Sequence, residues 1–344
     1  MPTPNTAFIQ ALPKTQLHCH LEGTLAATTF RELARTHDVA SERARGPHEA
    51  TYAFATFREF LLLFAEVCKT LQTPDDFALL ARDYVAEARA GRVRYAELFI
   101  SPSVWTFFHE AIDPVAVVRA MREVFDDAAR ADGLDVALIC DLTRNFGVER
   151  ALATARLAER LMPYGVIGVG LGGDEANHPP ELFADAFASA RAAGLHGVAH
   201  AGEAAGAASI RGAIDALGAE RIGHGVRSLE DDALVEELAA RGIALEICPT
   251  SNRLTGAVPA GEPHPIGELD RRGVRCVIDA DDPALFSTTL AREYAIVAAE
   301  LGEASLVRFA RQAIDASFAN AETKARLHAE LATAVEPFVA TGAF

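Results

Sequence analysis

Eight short runs rich in Val, Ile, Leu and Cys recur along the chain, at about residues 14–20, 93–101, 134–142, 166–172, 196–201, 220–224, 243–248 and 274–280. An Ala, Leu, Glu and Arg pattern of helical period follows each run. Near-continuous apolar strands alternating with amphipathic helices predict a parallel sheet buried on both faces, and eight such units predict an α/β fold closed into a (β/α)8 barrel of the TIM type. A doubly wound open sheet is the other architecture that this alternation allows. The interval between the first two strands is long enough for extra helices. It carries Phe54, Phe57, Phe60, Leu61 and Phe64, an apolar stripe whose ordinary role is helix core. Capping of the barrel mouth is the alternative.

Composition narrows the class. At 344 residues the chain is within the span of one α/β barrel, and no repeat, low-complexity tract or Pro/Ser-rich linker divides it, so residues 1–344 read as one domain. The formal net charge of -16 argues against a nucleic-acid partner and suits a small neutral ligand. The five cysteines are scattered without a CxxC pair, which predicts buried free thiols in a reducing compartment. Met1 to Lys14 lacks a basic segment followed by an apolar run, and no stretch approaches the roughly 18 apolar residues that span a bilayer. The expectation is a cytoplasmic protein with no membrane partner. Oligomeric state stays open.

The segment Leu17-His18-Cys19-His20-Leu21-Glu22-Gly23 places two histidines two residues apart in a predicted strand, so both imidazoles leave the same face. Other polar clusters also stand at predicted strand ends: Gly172-Gly173-Asp174-Glu175, His200-Ala201-Gly202-Glu203, His224 and Asp281-Asp282. In an α/β barrel that rim carries the active site. A lone histidine at a strand end is ordinarily structural, but five strands delivering His, Glu or Asp to one rim are hard to explain by packing. His18, His20, His200 and Asp281 supply three nitrogens and an oxygen, a donor set for one zinc ion or another divalent transition metal with room for a water. Glu203, just past its strand, is placed to protonate a ring nitrogen or leaving group. His224 and Asp282 remain to orient the attacking oxygen and receive a proton. The three lysines, Lys14, Lys69 and Lys324, leave none at the fourth strand end to bridge two metals, so one metal is expected. Cys248-Pro249 lacks the Pro-Cys-x-x-Cys pattern of cytidine-deaminase-type sites.

Six motifs in order, Leu-Pro-Lys-x-x-Leu-His-x-His-Leu-Glu-Gly-Thr-Leu (12–25), Gly-Asp-Glu (173–175), His-Ala-Gly-Glu (200–203), Arg-Ile-Gly-His-Gly (221–225), Cys-Pro-Thr-Ser-Asn (248–252) and Asp-Asp-Pro-Ala-Leu-Phe (281–286), resemble the motif set of the adenosine/adenine deaminase family. The resemblance implies an amidohydrolase-type barrel that binds one zinc and replaces the exocyclic amine of a 6-aminopurine by oxygen. It implies His18, His20, His200 and Asp281 as metal ligands, Glu203 as the proton donor to purine N1, and His224 as the group that orients and deprotonates the water. By the same resemblance Asp282, protonated, contacts N7, the Gly173 backbone contacts N3, and Glu22 replaces the Asp that reaches the ribose in adenosine deaminases. Adenosine or 2'-deoxyadenosine is the expected substrate, with adenine and aminodeoxyfutalosine as alternatives. A purine-binding barrel without turnover would not require Glu203 and His224 beside a complete ligand set.

Overall fold

The computed structural model describes residues 6–41 and 52–340. Its strands are β1 Lys14–His20, β2 Val93–Ile100, β3 Asp135–Thr143, β4 Val166–Gly172, β5 His196–Ala201, β6 Arg221–His224, β7 Ala244–Ile247 and β8 Cys276–Ile278. Each pairs in parallel with the next, in sequence order. The seam between β8 and β1 closes just beyond β8, where Asp281 N donates to His18 O at 3.1 Å and His20 N donates to Asp281 O at 2.9 Å. The result is the (β/α)8 barrel, and the open-sheet alternative is excluded. Strand interiors are buried because helices cover the outside and side chains fill the inside. Phe99, Ile139 and Val198 pack together in the interior.

The long connection after β1 holds a short 3-10 turn, Glu22–Thr24, and the helices Ala27–Thr36, Phe57–Thr70 and Pro74–Ala90. Thr73 caps the last of these in a reciprocal capping box with Asp76, ahead of Pro74 at the first turn. Thr56 caps Phe57–Thr70 by accepting from Glu59 N at 3.2 Å. That helix serves both expected roles of the aromatic stripe. Phe60 is buried and stacks on Phe286 with centroids 4.8 Å apart, whereas Phe57, Leu61 and Phe64 are half-buried and line the chamber over the barrel mouth. All five cysteines are buried and free. Among the described residues no helix is long and apolar enough to cross a membrane.

Candidate active site

The chain brings His18, His20, His200 and Asp281 together at the C-terminal rim, each buried, with one donor atom from each lying within 4.8 Å of all the others. His20 Nε2 is 3.1 Å from His200 Nε2, and Asp281 Oδ1 is 3.5 Å from His18 Nε2 and 3.6 Å from His20 Nε2. Four donors at zinc-ligand distance in a tetrahedron stand roughly 3.3 Å apart, so these spacings fit a single transition-metal ion. The protonation states fit as well. Burial pushes His20 down to about 4 and His200 well below the usual imidazole range, and both are neutral donors. Asp281 is held ionised against the cost of burial by the surrounding imidazoles, chiefly His18. His18 runs the other way. Burial opposes its charge, but Asp281 and Glu246 outweigh burial and raise its pKa, so the site as a whole favours positive charge.

The geometry behind the ligands comes from mid-strand groups. His18 Nδ1 is 2.7 Å from Glu246 Oε2, which leaves Nε2 without a hydrogen-bond partner and facing the other ligands. Glu246 Oε1 accepts from Arg221 Nε at 2.6 Å, and Arg221 Nη2 meets Glu97 Oε2 at 2.6 Å. This buried array fills the barrel below the site. Ser251 Oγ donates to Asp281 Oδ2 at 2.7 Å. His224 and Asp281 adopt left-handed backbone with φ of 61° and 62°, a strain of about 1–3 kcal/mol each that clusters at functional sites. Two motif glycines are steric necessities. A Cβ on Gly223 would lie 2.7 Å from His18 Cε1, and one on Gly23 would lie 2.6 Å from Asp282 Cβ.

Glu203, His224, Asp282 and Gly173 line one chamber of about 600 Å3 with His20, His200 and Asp281. Burial and the charges of Asp281 and Glu175 push Glu203 up to about 8. Burial and the adjacent Asp281 raise Asp282 well above the carboxylate range. Burial and neighbouring negative charge thus favour the protonated, hydrogen-donating form of both. His224 is driven down to about 3 by burial and is neutral. Its Nε2 is 3.4 Å from Glu203 Oε2 and makes no hydrogen bond. Glu175 fixes the loop after β5 by accepting backbone N–H bonds from Gly202, Glu203, Ala204 and Ala205 at 2.6–3.1 Å.

Glu22 stands elsewhere than the resemblance implies. It is fully buried outside the chamber lining, and its Oε1 accepts from Ser101 N at 2.8 Å and Trp105 Nε1 at 2.7 Å. The chain leaves the strand at Leu21 for the 3-10 turn, and the side chain is directed into the wall. Asp141, on β3, lines the chamber instead, with its pKa pushed up to about 7 by burial and by Glu22. Glu97, Asp141 and Glu246 were absent from the sequence expectations, which followed strand ends. The signal for them is a lone carboxylate inside an apolar run, as in Tyr95-Ala96-Glu97-Leu98-Phe99 and Ala244-Leu245-Glu246-Ile247.

A parallel eight-stranded barrel whose rim gathers three imidazoles and a carboxylate around one point defines a metal-dependent hydrolase of the amidohydrolase class. The sequence profile described as adenosine deaminase matches residues 13–334. An aminodeoxyfutalosine deaminase from Streptomyces avermitilis is 39% identical over 332 residues, covering 95% of this chain and 92% of that protein. An adenine deaminase from a Chelativorans species is 37% identical over 329 residues, covering 94% and 99%. The crystal structure of a zinc-bound amidohydrolase from Burkholderia ambifaria superposes with a TM-score of 0.86 at 28% identity, covering 99% and 95%. The chain belongs to the adenosine deaminase family. It is a hydrolase of that family, in which hydrolytic deamination is the shared reaction.

Proposed function

We propose that this protein removes the 6-amino group of an adenine nucleoside by hydrolysis, converting adenosine or 2'-deoxyadenosine to the inosine counterpart and ammonia. The observation that carries this reading is the pair of carboxyls, Glu203 and Asp282, opening with His224, His20, His200 and Asp281 into one chamber, where burial and neighbouring negative charge favour their protonated forms. A purine presents basic nitrogens at N1 and N7, and two neutral carboxyls are the donors that such an edge needs. Glu203 hydrogen-bonds and then protonates N1 as oxygen adds to C6, Asp282 donates to N7, and the Gly173 backbone meets N3. His224 orients the attacking water. His18, His20, His200 and Asp281 would hold one zinc, which when bound lowers the pKa of a water toward neutrality.

The chamber is much larger than a purine base requires and falls in the range for drug-sized ligands, which supports a nucleoside over free adenine. Its walls add Phe57, Phe64, Val104 and Phe108 to the carboxyls of Asp141 and Asp174, with exposed Arg58 at the rim. That balance favours a neutral sugar over a phosphate. One feature supports a second substrate, the modified nucleoside aminodeoxyfutalosine. The chamber runs on to a stacked pair, Phe107 and Phe146, with centroids 4.9 Å apart, over which Arg150 lies at 5.8 Å and 5.2 Å.

Ammonia release from adenosine, 2'-deoxyadenosine, adenine, AMP and aminodeoxyfutalosine by the metal-analysed protein tests both readings. The expected order of kcat/KM places nucleosides above adenine and AMP. Turnover of adenine alone would overturn the nucleoside assignment, and no ammonia from any of the five would overturn the deaminase role.

A further inference from the structure

A chain of buried hydrogen bonds runs from the backbone to His224, and its direction can be read from one end. Ile266 N–H is a fixed donor and reaches His264 Nδ1 at 3.2 Å. His264 Nδ1 is therefore an acceptor, and the ring carries its hydrogen on Nε2. That Nε2 stands 3.3 Å from Asn252 Oδ1 and donates to it. The orientation of the amide follows, because Oδ1 receives from His264 and Nδ2 must face the other way. Nδ2 lies 3.0 Å from His224 Nδ1 and donates there. Asn252 and His224 are fully buried and His264 nearly so, and no water is needed to complete the chain.

We propose that His264 and Asn252 are positioning residues that fix His224 as the Nε2–H tautomer, so that His224 meets the attacking water as a hydrogen-bond donor and takes no proton from it. This deepens the deaminase reading and rests on it for the identity of the water. With Nδ1 occupied by the Asn252 N–H, the ring hydrogen resides on Nε2, the nitrogen without a partner that faces the chamber beside Glu203. A ring in that state donates to one lone pair of the oxygen; the water would give its proton to solvent on binding a metal held by His18, His20, His200 and Asp281, and the resulting hydroxide would keep a further lone pair for attack. The base role implied by resemblance would require a bare Nε2 and hydrogen on Nδ1, which would set two donors against each other across 3.0 Å.

The test reads the tautomer directly, from ring 15N chemical shifts in the holoenzyme labelled at histidine, with the His224 signals assigned by their loss in His224→Gln. Wild type is expected to show hydrogen on Nε2 and a bare Nδ1. Asn252→Asp replaces the donor by an acceptor and is expected to move the hydrogen to Nδ1, lowering kcat about tenfold with KM little changed, the size of one misdirected hydrogen bond. His264→Phe, which leaves the amide free to turn, is expected to give both tautomers and serves if Asn252→Asp does not fold. Hydrogen on Nδ1 in wild type, or shifts unmoved in a folded Asn252→Asp or His264→Phe protein, would overturn the proposal. The readout needs no turnover. The expected tautomer in a protein that deaminates no adenine compound would count against the deaminase reading alone.

Discussion

Glu246→Gln tests the ligand set from behind. In the wild-type structure Glu246 Oε2 accepts from His18 Nδ1 at 2.7 Å and Oε1 accepts from Arg221 Nε at 2.6 Å, all within the barrel interior. An amide offers one acceptor atom and one donor group. Arg221 keeps its proton under all conditions, so the amide oxygen stays on Arg221 and the NH2 group turns toward His18 Nδ1. There it donates, which moves the His18 hydrogen to Nε2, the nitrogen that must be bare to ligate. Loss of such a supporting contact weakens metal binding by about 10–100-fold, or about 1.4–2.7 kcal/mol. Removing one charge from the buried array costs about 3 kcal/mol of fold stability, the lower end for a severed pair, because Glu97 still meets Arg221 at 2.6 Å. Zinc competition against a chromogenic chelator measures the first quantity, and urea unfolding of the metal-free protein measures the second. Zinc affinity within twofold of wild type, alongside the expected loss of stability, would refute the argument that Glu246 sets the His18 tautomer.

Three further substitutions probe other parts of the site. Gly223→Ala sets a methyl 2.7 Å from His18 Cε1 and 3.3 Å from His200 Cα; zinc content should fall with circular dichroism unchanged, and full zinc occupancy would show that His18 can move without consequence. Glu203→Gln should retain zinc and lower kcat by about 10²–10⁴-fold, the span of a lost general acid. Because Glu203 sits near 8, its proton-donating form dominates below that pH and is lost as pH rises through it, so kcat/KM should decline on the alkaline side. Persistence of that decline in Glu203→Gln would assign it to another group. Glu175→Gln removes one of two oxygens that hold the N–H groups of residues 202–205; unfolding free energy should drop by roughly 2 kcal/mol together with kcat, and an unchanged kcat would separate Glu203 placement from this loop.

Strand positions were legible because a strand buried on both faces must be apolar almost throughout. The expected runs at 14–20, 166–172 and 196–201 match the observed strands residue for residue. The eighth run is longer in expectation, 274–280, than Cys276–Ile278 in the structure. Beyond Ile278 the segment carries Asp279 and Asp281 inward, and Asp279 Oδ1 accepts from Leu17 N at 3.0 Å in place of a backbone carbonyl. The clustering of His18, His20, His200 and Asp281 was legible for a related reason, since spacing of two in a strand and placement at a strand end both fix direction without tertiary knowledge. Glu22 shows where such reasoning stops. Continued alternation would carry it to the face of His18 and His20, but the 3-10 turn begins at that residue, and its direction is decided by Trp105 and Ser101 on a distant segment. Asn252 belongs to the motif at 248–252, yet its hydrogen bonds depend on His264 and His224 arriving on either side, which no local pattern encodes.

Closure of the barrel and placement of the candidate ligands share the same backbone contacts in this fold. The two backbone hydrogen bonds that join Asp281 to His18 and His20 are what complete the β8 to β1 seam, so three of the four donors are placed by the ladder itself. The fourth, His200, comes from β5 across the barrel interior, where its ring centroid lies 4.5 Å from that of His18. Opposed donors of this kind need an interior narrow enough to let them meet, and eight strands give an interior just wide enough for side chains to fill. The buried Arg221, Glu97 and Glu246 array is the counterpart on the inner side. It is a poor source of stability for its desolvation cost, but it orients His18 in a place where an aliphatic core could not. The left-handed turns at His224 and Asp281 belong to the same trade, since each ends its ladder abruptly and turns a functional side chain inward, at a local cost that the large packed core around the barrel offsets.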